Sequence, residues 1–271
     1  MHDPDAPVSP APFAARHIGL TPHDEGKMLA DLGHTSAREL LQRAVPGSIH
    51  DTTLDLPAAL TEDEAMARLR ELADRNRVAT SLIGMGWNDC ITPPVIRRNM
   101  VENPAWYTSY TPYQPEISQG RLEMLLAFQT MVADLTGCEM ANASLLDEAT
   151  AAAEAMTMLR RVGRSPRTGF FVDADCHPQT IAVVATRAEP LGIELTVGDP
   201  ASLTAPGGVG DGADGYFGVL LAQPGSTGVL RDLGPIIDAV HGADALAAVT
   251  TDLLACCLIT PPGELGADLV V

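Results

Sequence analysis

The sequence predicts an α/β fold with a largely parallel sheet, preceded by an arm of short helices. Three observations predict it. From Gly169 onward, short apolar runs alternate with helix-like segments, the order of successive strand-helix-strand units. Before residue 81, Thr21, Ser36 and Thr61 are each followed three residues later by an acid, a pattern that opens helices. Hydrophobic residues make up 46% of the 271, enough to enclose a core and too many for general disorder.

Each element follows in order. Residues 1–12 carry Pro4, Pro7, Pro10 and Pro12 without an apolar period and read as a loose tail. Residues 13–80 form the helical arm, with starts at Thr21-Pro22 with Asp24, Ser36 with Glu39, and Thr61 with Glu64. Residues 81–120 change to Gly, Pro and aromatic residues without a clear period. So long an irregular connection is more often functional than idle.

Residues 121–271 read as part of an α/β domain. Leu122, Leu125, Phe128, Val132 and Leu135 give Arg121 to Thr136 one apolar side, and Gly137 stops that helix. A second helix runs from about Leu145 to Arg161. Strands are expected over Gly169 to Asp173, Ile193 to Val197, Tyr216 to Ala222 and Ala247 to Thr251, with helices over Pro178 to Arg187 and Leu233 to His241. Pro200 to Asp214, rich in glycine, is expected as an exposed loop. Asp268 to Val271 reads as the start of a strand, so the domain looks incomplete at its C-terminus.

Charge removes whole classes of function. Seventeen Lys and Arg against 35 Asp and Glu leave a net charge of −18, which repels nucleic-acid backbones and anionic membranes. The apolar run Leu253 to Ile259 is far too short to span a bilayer. Five cysteines, an odd number without Cys-x-x-Cys spacing, and an acidic start without an apolar segment point to a reduced, cytoplasmic protein lacking a signal peptide. Adjacent Cys256 and Cys257 would face opposite ways in a strand, so they read as buried small apolar residues and not as a metal pair. No metal site is expected.

Lysine usage narrows the chemistry further, because Lys27 is the single lysine. Any reaction that needs a lysine amine uses that one or borrows another from a partner chain. Ser144 to Thr150 runs into an alanine-rich helix whose free amides suit an anion such as phosphate. Asp147 and Glu148 put negative charge in the same place, so a plain cap competes with that reading. His177 and Asp252 each follow a strand, where ligands of open α/β sheets collect, although taken alone a turn residue and a helix cap are the commoner explanations. Tyr107, Tyr110 and Tyr113 cluster beside Trp106, suited to a ligand pocket, to an interface or to packing the arm.

The run Trp106-Tyr107-Thr108-Ser109-Tyr110-Thr111-Pro112-Tyr113-Gln114-Pro115-Glu116-Ile117-Ser118-Gln119-Gly120-Arg121-Leu122-Glu123 resembles a signature of the glycine cleavage system P-protein family. So do Ala143-Ser144-Leu145-Leu146-Asp147-Glu148, His177-Pro178-Gln179-Thr180 and Pro261-Pro262-Gly263-Glu264, and Phe13 to Leu20 is similar to the family's start. The resemblance implies a pyridoxal-phosphate enzyme of the aspartate-aminotransferase-like fold, fold type I, made of two homologous halves, fused or separate. It implies decarboxylation of glycine and transfer of the aminomethyl group to the lipoyl arm of H-protein.

This sequence is similar to the N-terminal half, which lacks the Schiff-base lysine, and family members continue well beyond Val271. The partners implied are a lysine-bearing C-terminal half or second subunit, lipoylated H-protein and glycine. On this reading Ser144, Thr150, His177 and Asp252 belong to a degenerate cofactor site. Tyr107, Tyr110, Tyr113, Gln114, Glu116 and Ser118 border the substrate entrance of the real one. Two departures stand out: Ala149 replaces a glycine common after the Asp-Glu pair, and Trp87-Asn88 stands where paired aromatics are frequent. The first limits close backbone approach to a phosphate. A purely structural interface half, or a piece of another fold type I enzyme, remains an alternative.

Overall fold

The structure, a computed structural model, describes residue 17 and residues 19–50, 55–163, 165–210 and 212–271. The tail expected over residues 1–12 lies outside the described residues. The chain divides into two units, Met1–Thr80 and Ser81–Val271.

In the first unit, α1 (Pro22–Asp31), α2 (Ala37–Ala44) and α3 (Glu62–Asp74) begin where the cap signals place them. The Thr21 hydroxyl accepts from the Asp24 amide at 3.2 Å, and Ser36 does the same for Glu39. Thr61 and Glu64 form a reciprocal box: the Thr61 amide donates to the Glu64 carboxylate at 2.8 Å, and the Glu64 amide donates back to the Thr61 hydroxyl at 3.3 Å. These bonds satisfy amides that a helix start leaves without partners. The Thr35 amide and hydroxyl both donate to Glu39, which holds that carboxyl at about 2. None of the three helices buries a residue, so local capping carries more of their order than packing does.

The second unit opens with the irregular stretch the sequence suggests, broken by short turns that periodicity did not reveal. These are Pro94–Ile96, Arg97–Val101, Pro104–Tyr107 and Pro115–Ile117. Three of them carry proline in their first positions, where its missing N–H costs nothing. Then come α4 (Gln119–Thr136) and α5 (Glu148–Gly163). Helix α4 ends at Gly137 with φ +72°, as the stop signal required. A side chain there would crowd the backbone of the Pro261-Pro262-Gly263-Glu264 loop, whose Gly263 amide donates to the Thr136 carbonyl at 2.9 Å.

The sheet is five-stranded and wholly parallel: β1 (Gly169–Asp173), β2 (Glu194–Gly198), β3 (Tyr216–Gln223), β4 (Leu246–Thr251) and β5 (Leu269–Val270), in the order β2-β1-β3-β4-β5. Helix α6 (Pro178–Ala188) links β1 to β2, and α7 (Gly234–Gly242) links β3 to β4. Side chains alternate between two cores, as strand geometry demands. Phe170, Val172, Leu220, Ala222 and Ala248 face α5 and α6. Phe171, Val219, Leu221, Ala247 and Val249 face α7. Both faces are therefore covered, which explains why these strands read as continuous apolar runs.

Two expectations need correcting. The Pro200 to Asp214 segment is not simply an exposed loop: Pro200, Leu203 and Val209 are buried, and the last two fill the α7-side core. Its glycines obscured two apolar anchors. Cys257 is exposed while Cys256 is buried, because they sit at a helical turn, Leu253–Cys256, and not in a strand.

Candidate functional site

The carboxyl ends of β1, β3 and β4 open into a crevice of about 380 Å³. Ligands of parallel α/β sheets bind at such strand ends. Its walls include His177 after β1, Pro224 to Gly228 after β3, and Thr250 to Asp252 at the end of β4. The Gly84 to Asn88 turn and Glu148 at the start of α5 complete it.

His177 and Asp252 both line this crevice. His177 is the residue before α6 and its Nδ1 lies 2.9 Å from Ser226 Oγ. Asp252 serves as a helix cap: its Oδ1 accepts from the amides of Leu254 at 2.7 Å and Ala255 at 3.1 Å. Thr150 does not line the crevice. Its amide donates to Asp147 Oδ1 at 2.7 Å, closing the start of α5 and lowering the Asp147 carboxyl below its ordinary range. Ser144 is exposed in the irregular segment ahead of α5, which begins at Glu148 and not near Leu145. The competing cap reading is the one the geometry matches, with Asp147 as the capping group.

The tyrosines lie elsewhere. Tyr107, Tyr110 and Tyr113 are exposed and absent from the crevice walls. Tyr110 and Tyr113 meet edge to face with centroids 6.0 Å apart. Gln114 and Glu116 are exposed at the 3₁₀ turn. Ser118 is buried, and its hydroxyl accepts from Arg121 at 3.0 Å. Arg121 also donates to the Tyr110 carbonyl, stapling the aromatic loop to the first turn of α4.

A network beneath the crevice escaped sequence reading. The Asp175 carboxylate accepts from the Thr227 amide at 2.9 Å, the Thr227 hydroxyl at 2.8 Å and Arg231 at 3.2 Å. Burial pushes its pKa upward, but the Thr227 hydrogen bonds and Arg231 outweigh burial and hold the carboxyl low. Asp173, fully buried, is shifted the other way by desolvation, with the Asp175 amide and Arg231 opposing. Gln223 completes the network, accepting from the Arg231 amide at 3.1 Å and donating to its carbonyl at 2.8 Å. The Asp-x-Asp spacing after an apolar strand was the available signal. Cys176, the residue after Asp175, is buried, and burial with the Asp173 charge pushes its thiol up to about 12, so it is no nucleophile at neutral pH.

The residues present do not fit a pyridoxal-phosphate group held by this chain. Asp147 already occupies the helix start that would cradle a phosphate, and Glu148 sets a carboxylate in the crevice wall. Among the described residues neither lysine nor arginine lines the crevice, and the sole lysine belongs to α1 of the first unit.

An open parallel sheet with helices on both faces and a crevice at its carboxyl ends defines an open-sheet α/β protein that binds at its strand ends. A model of the glycine cleavage system P-protein family matches residues 15–271, and the chain belongs to that family. It is 57% identical over 257 residues to a glycine dehydrogenase (decarboxylating) of Cereibacter sphaeroides, covering 94% of this chain and 26% of the relative. A glycine dehydrogenase (decarboxylating) of Gluconobacter oxydans is 54% identical over 266 residues, covering 98% and 27%. The chain therefore spans about a quarter of the length of these curated relatives.

A crystal structure of glycine decarboxylase (P-protein) of the glycine cleavage system, in inhibitor-bound form, superposes with a TM-score of 0.82 at 34% identity, over 93% of this chain and 56% of that one. A Burkholderia pseudomallei sphingosine-1-phosphate lyase shares the fold alone, with a TM-score of 0.54 at 14% identity over 76% of this chain and 51% of that one. Among the described residues no helix is long and apolar enough to cross a membrane.

Proposed function

We propose that this chain is a supporting part of a glycine-decarboxylating P-protein and does not itself anchor the cofactor. In this reading the complete assembly uses pyridoxal phosphate to decarboxylate glycine and passes the aminomethyl group to the lipoyl arm of H-protein. The Schiff-base lysine comes from sequence or a subunit outside this chain, and the assembly works in the cytoplasm. The observation that carries the proposal is a crevice at the expected strand ends that has its imidazole and acid but neither a lysine nor a free helix start.

The aromatic loop is the element with which this chain reaches the reaction. Tyr107, Tyr110 and Tyr113 offer apolar area with polar tips on an exposed face, held in shape by Arg121. They border the substrate entrance where the chain meets the lysine-bearing part. In the complete assembly, Tyr110→Ala is expected to lower turnover roughly tenfold, a barrier increase of about 1.4 kcal/mol. Its melting temperature should stay nearly constant, because the Tyr110 side chain is 69% exposed. A loss of stability with unchanged turnover would return the tyrosines to a packing role.

A second reading rests on α4, which presents Met124, Leu125, Leu126, Phe128 and Met131 to solvent. Such a face suits an interface, and the chain would then serve association alone. The same Tyr110 variant separates the two: altered association with unchanged kinetics favours the interface.

A further inference from the structure

His177 stands before α6 without a side-chain capping bond, so its ring is available for another task. Its Nδ1 meets Ser226 Oγ at 2.9 Å. Ser226 is itself fixed, because its amide donates to the Asp175 carbonyl at 2.7 Å and the next residue, Thr227, gives both of its donors to the Asp175 carboxylate. Asp175 is only 6% exposed, so this brace is built into the body of the domain.

The other ring nitrogen lies beside Gly86, and both residues line the crevice. A Cβ on Gly86 would lie 3.1 Å from His177 Nε2 and 3.7 Å from Glu148 Oε2. Gly86 has φ +83°, and Gln179 holds its turn by donating to the Met85 carbonyl at 3.1 Å.

We infer that His177 is a preset hydrogen-bond donor aimed into the crevice, with Ser226 fixing its tautomer and Asp175, Thr227 and Gly86 acting as positioning residues. The Ser226 hydroxyl donates to Nδ1, which leaves the proton on Nε2. That choice follows from the surroundings, since the charged groups lining the crevice, Glu148 and Asp252, are carboxylates that accept hydrogen bonds and disfavour a bare lone pair. The ring then recognises a neutral oxygen acceptor, a carbonyl or hydroxyl, while the two carboxylates repel an anion. This inference stands on the geometry of the chain and not on the proposed reaction, so either can fail without the other.

The test is ring-nitrogen NMR on the ¹⁵N-labelled 271-residue chain above the pH where imidazole titrates. The expected spectrum shows His177 with its proton on Nε2 and its Nδ1 resonance displaced from the free-imidazole position by the accepted hydrogen bond. Ser226→Ala should return Nδ1 to the free position, and Ser226→Thr should keep the wild-type pattern. Thr227→Val, which never touches the ring, should move the same resonance part of the way. Its amide spectrum also reports folding if Ser226→Ala does not fold. Gly86→Ala should remove most of the reactivity of Nε2 toward diethyl pyrocarbonate. A proton on Nδ1, or ring signals unmoved by both Ser226→Ala and Thr227→Val, would overturn the inference.

Discussion

Asp175→Ala is expected to destabilise the chain by about 3 kcal/mol, near the upper end of single-site effects. The carboxylate closes three hydrogen bonds, from the Thr227 amide, the Thr227 hydroxyl and Arg231, and all three donors lose their acceptor together. Arg231 is 27% exposed and regains some water, which keeps the figure from rising further. In a domain of this size the loss amounts to a fall of roughly 10 °C in melting temperature.

Gly225→Ala tests the same joint from the other side. A methyl group there would overlap the Asp175 carboxylate and come within 2.7 Å of its carbonyl oxygen. The loop must then lift away from β1, and Ser226 leaves His177 with it. Equilibrium unfolding of either variant checks the expectation, and a loss below about 1 kcal/mol would show the network to be incidental.

Phe217→Ala is expected to cost about 3–5 kcal/mol through loss of buried area and the cavity left behind. The Phe217 ring is buried on β3 and stacks on Phe170 at 5.2 Å between centroids. The Arg160 guanidinium lies 5.4 Å from its centre, so the cation loses its partner too. Neighbours on β1 and α5 are already close-packed and can collapse only partly. Phe217→Leu keeps most of the volume and should cost well under half as much. Denaturant midpoints of the two variants measure that difference, and equal costs would contradict a tightly packed core.

Much of this architecture was legible beforehand because its signals are local. The Thr61–Glu64 box, the Gly137 stop and the apolar runs of β1, β3 and β4 each depend on residues adjacent in sequence. What escaped depends on residues far apart. Arg167 donates to the carbonyls of Tyr216 and Ala243, tying three segments that no local pattern connects. Leu203 and Val209 are core residues inside a glycine-rich excursion, where composition argued for solvent.

The site was legible to the same degree. His177 and Asp252 were visible because each follows an apolar strand. Ser226, Gly86 and Asp175 were not, because their roles exist only when three loops converge. The start of α5 illustrates the limit: small and hydroxyl residues suit a phosphate as well as a cap, Asp147 and Glu148 tilt the sequence toward the cap, and the Thr150 to Asp147 bond is the geometry that matches it.

The central claim is that the crevice of this chain holds no carbonyl cofactor of its own. The direct measurement is to incubate the 271-residue chain with pyridoxal phosphate, reduce with borohydride, and map the labelled peptides. The account predicts no saturable label and no absorbance that responds to glycine, with any chance modification confined to Lys27 or the chain's α-amino group. Saturable, glycine-responsive incorporation into the isolated chain would contradict it.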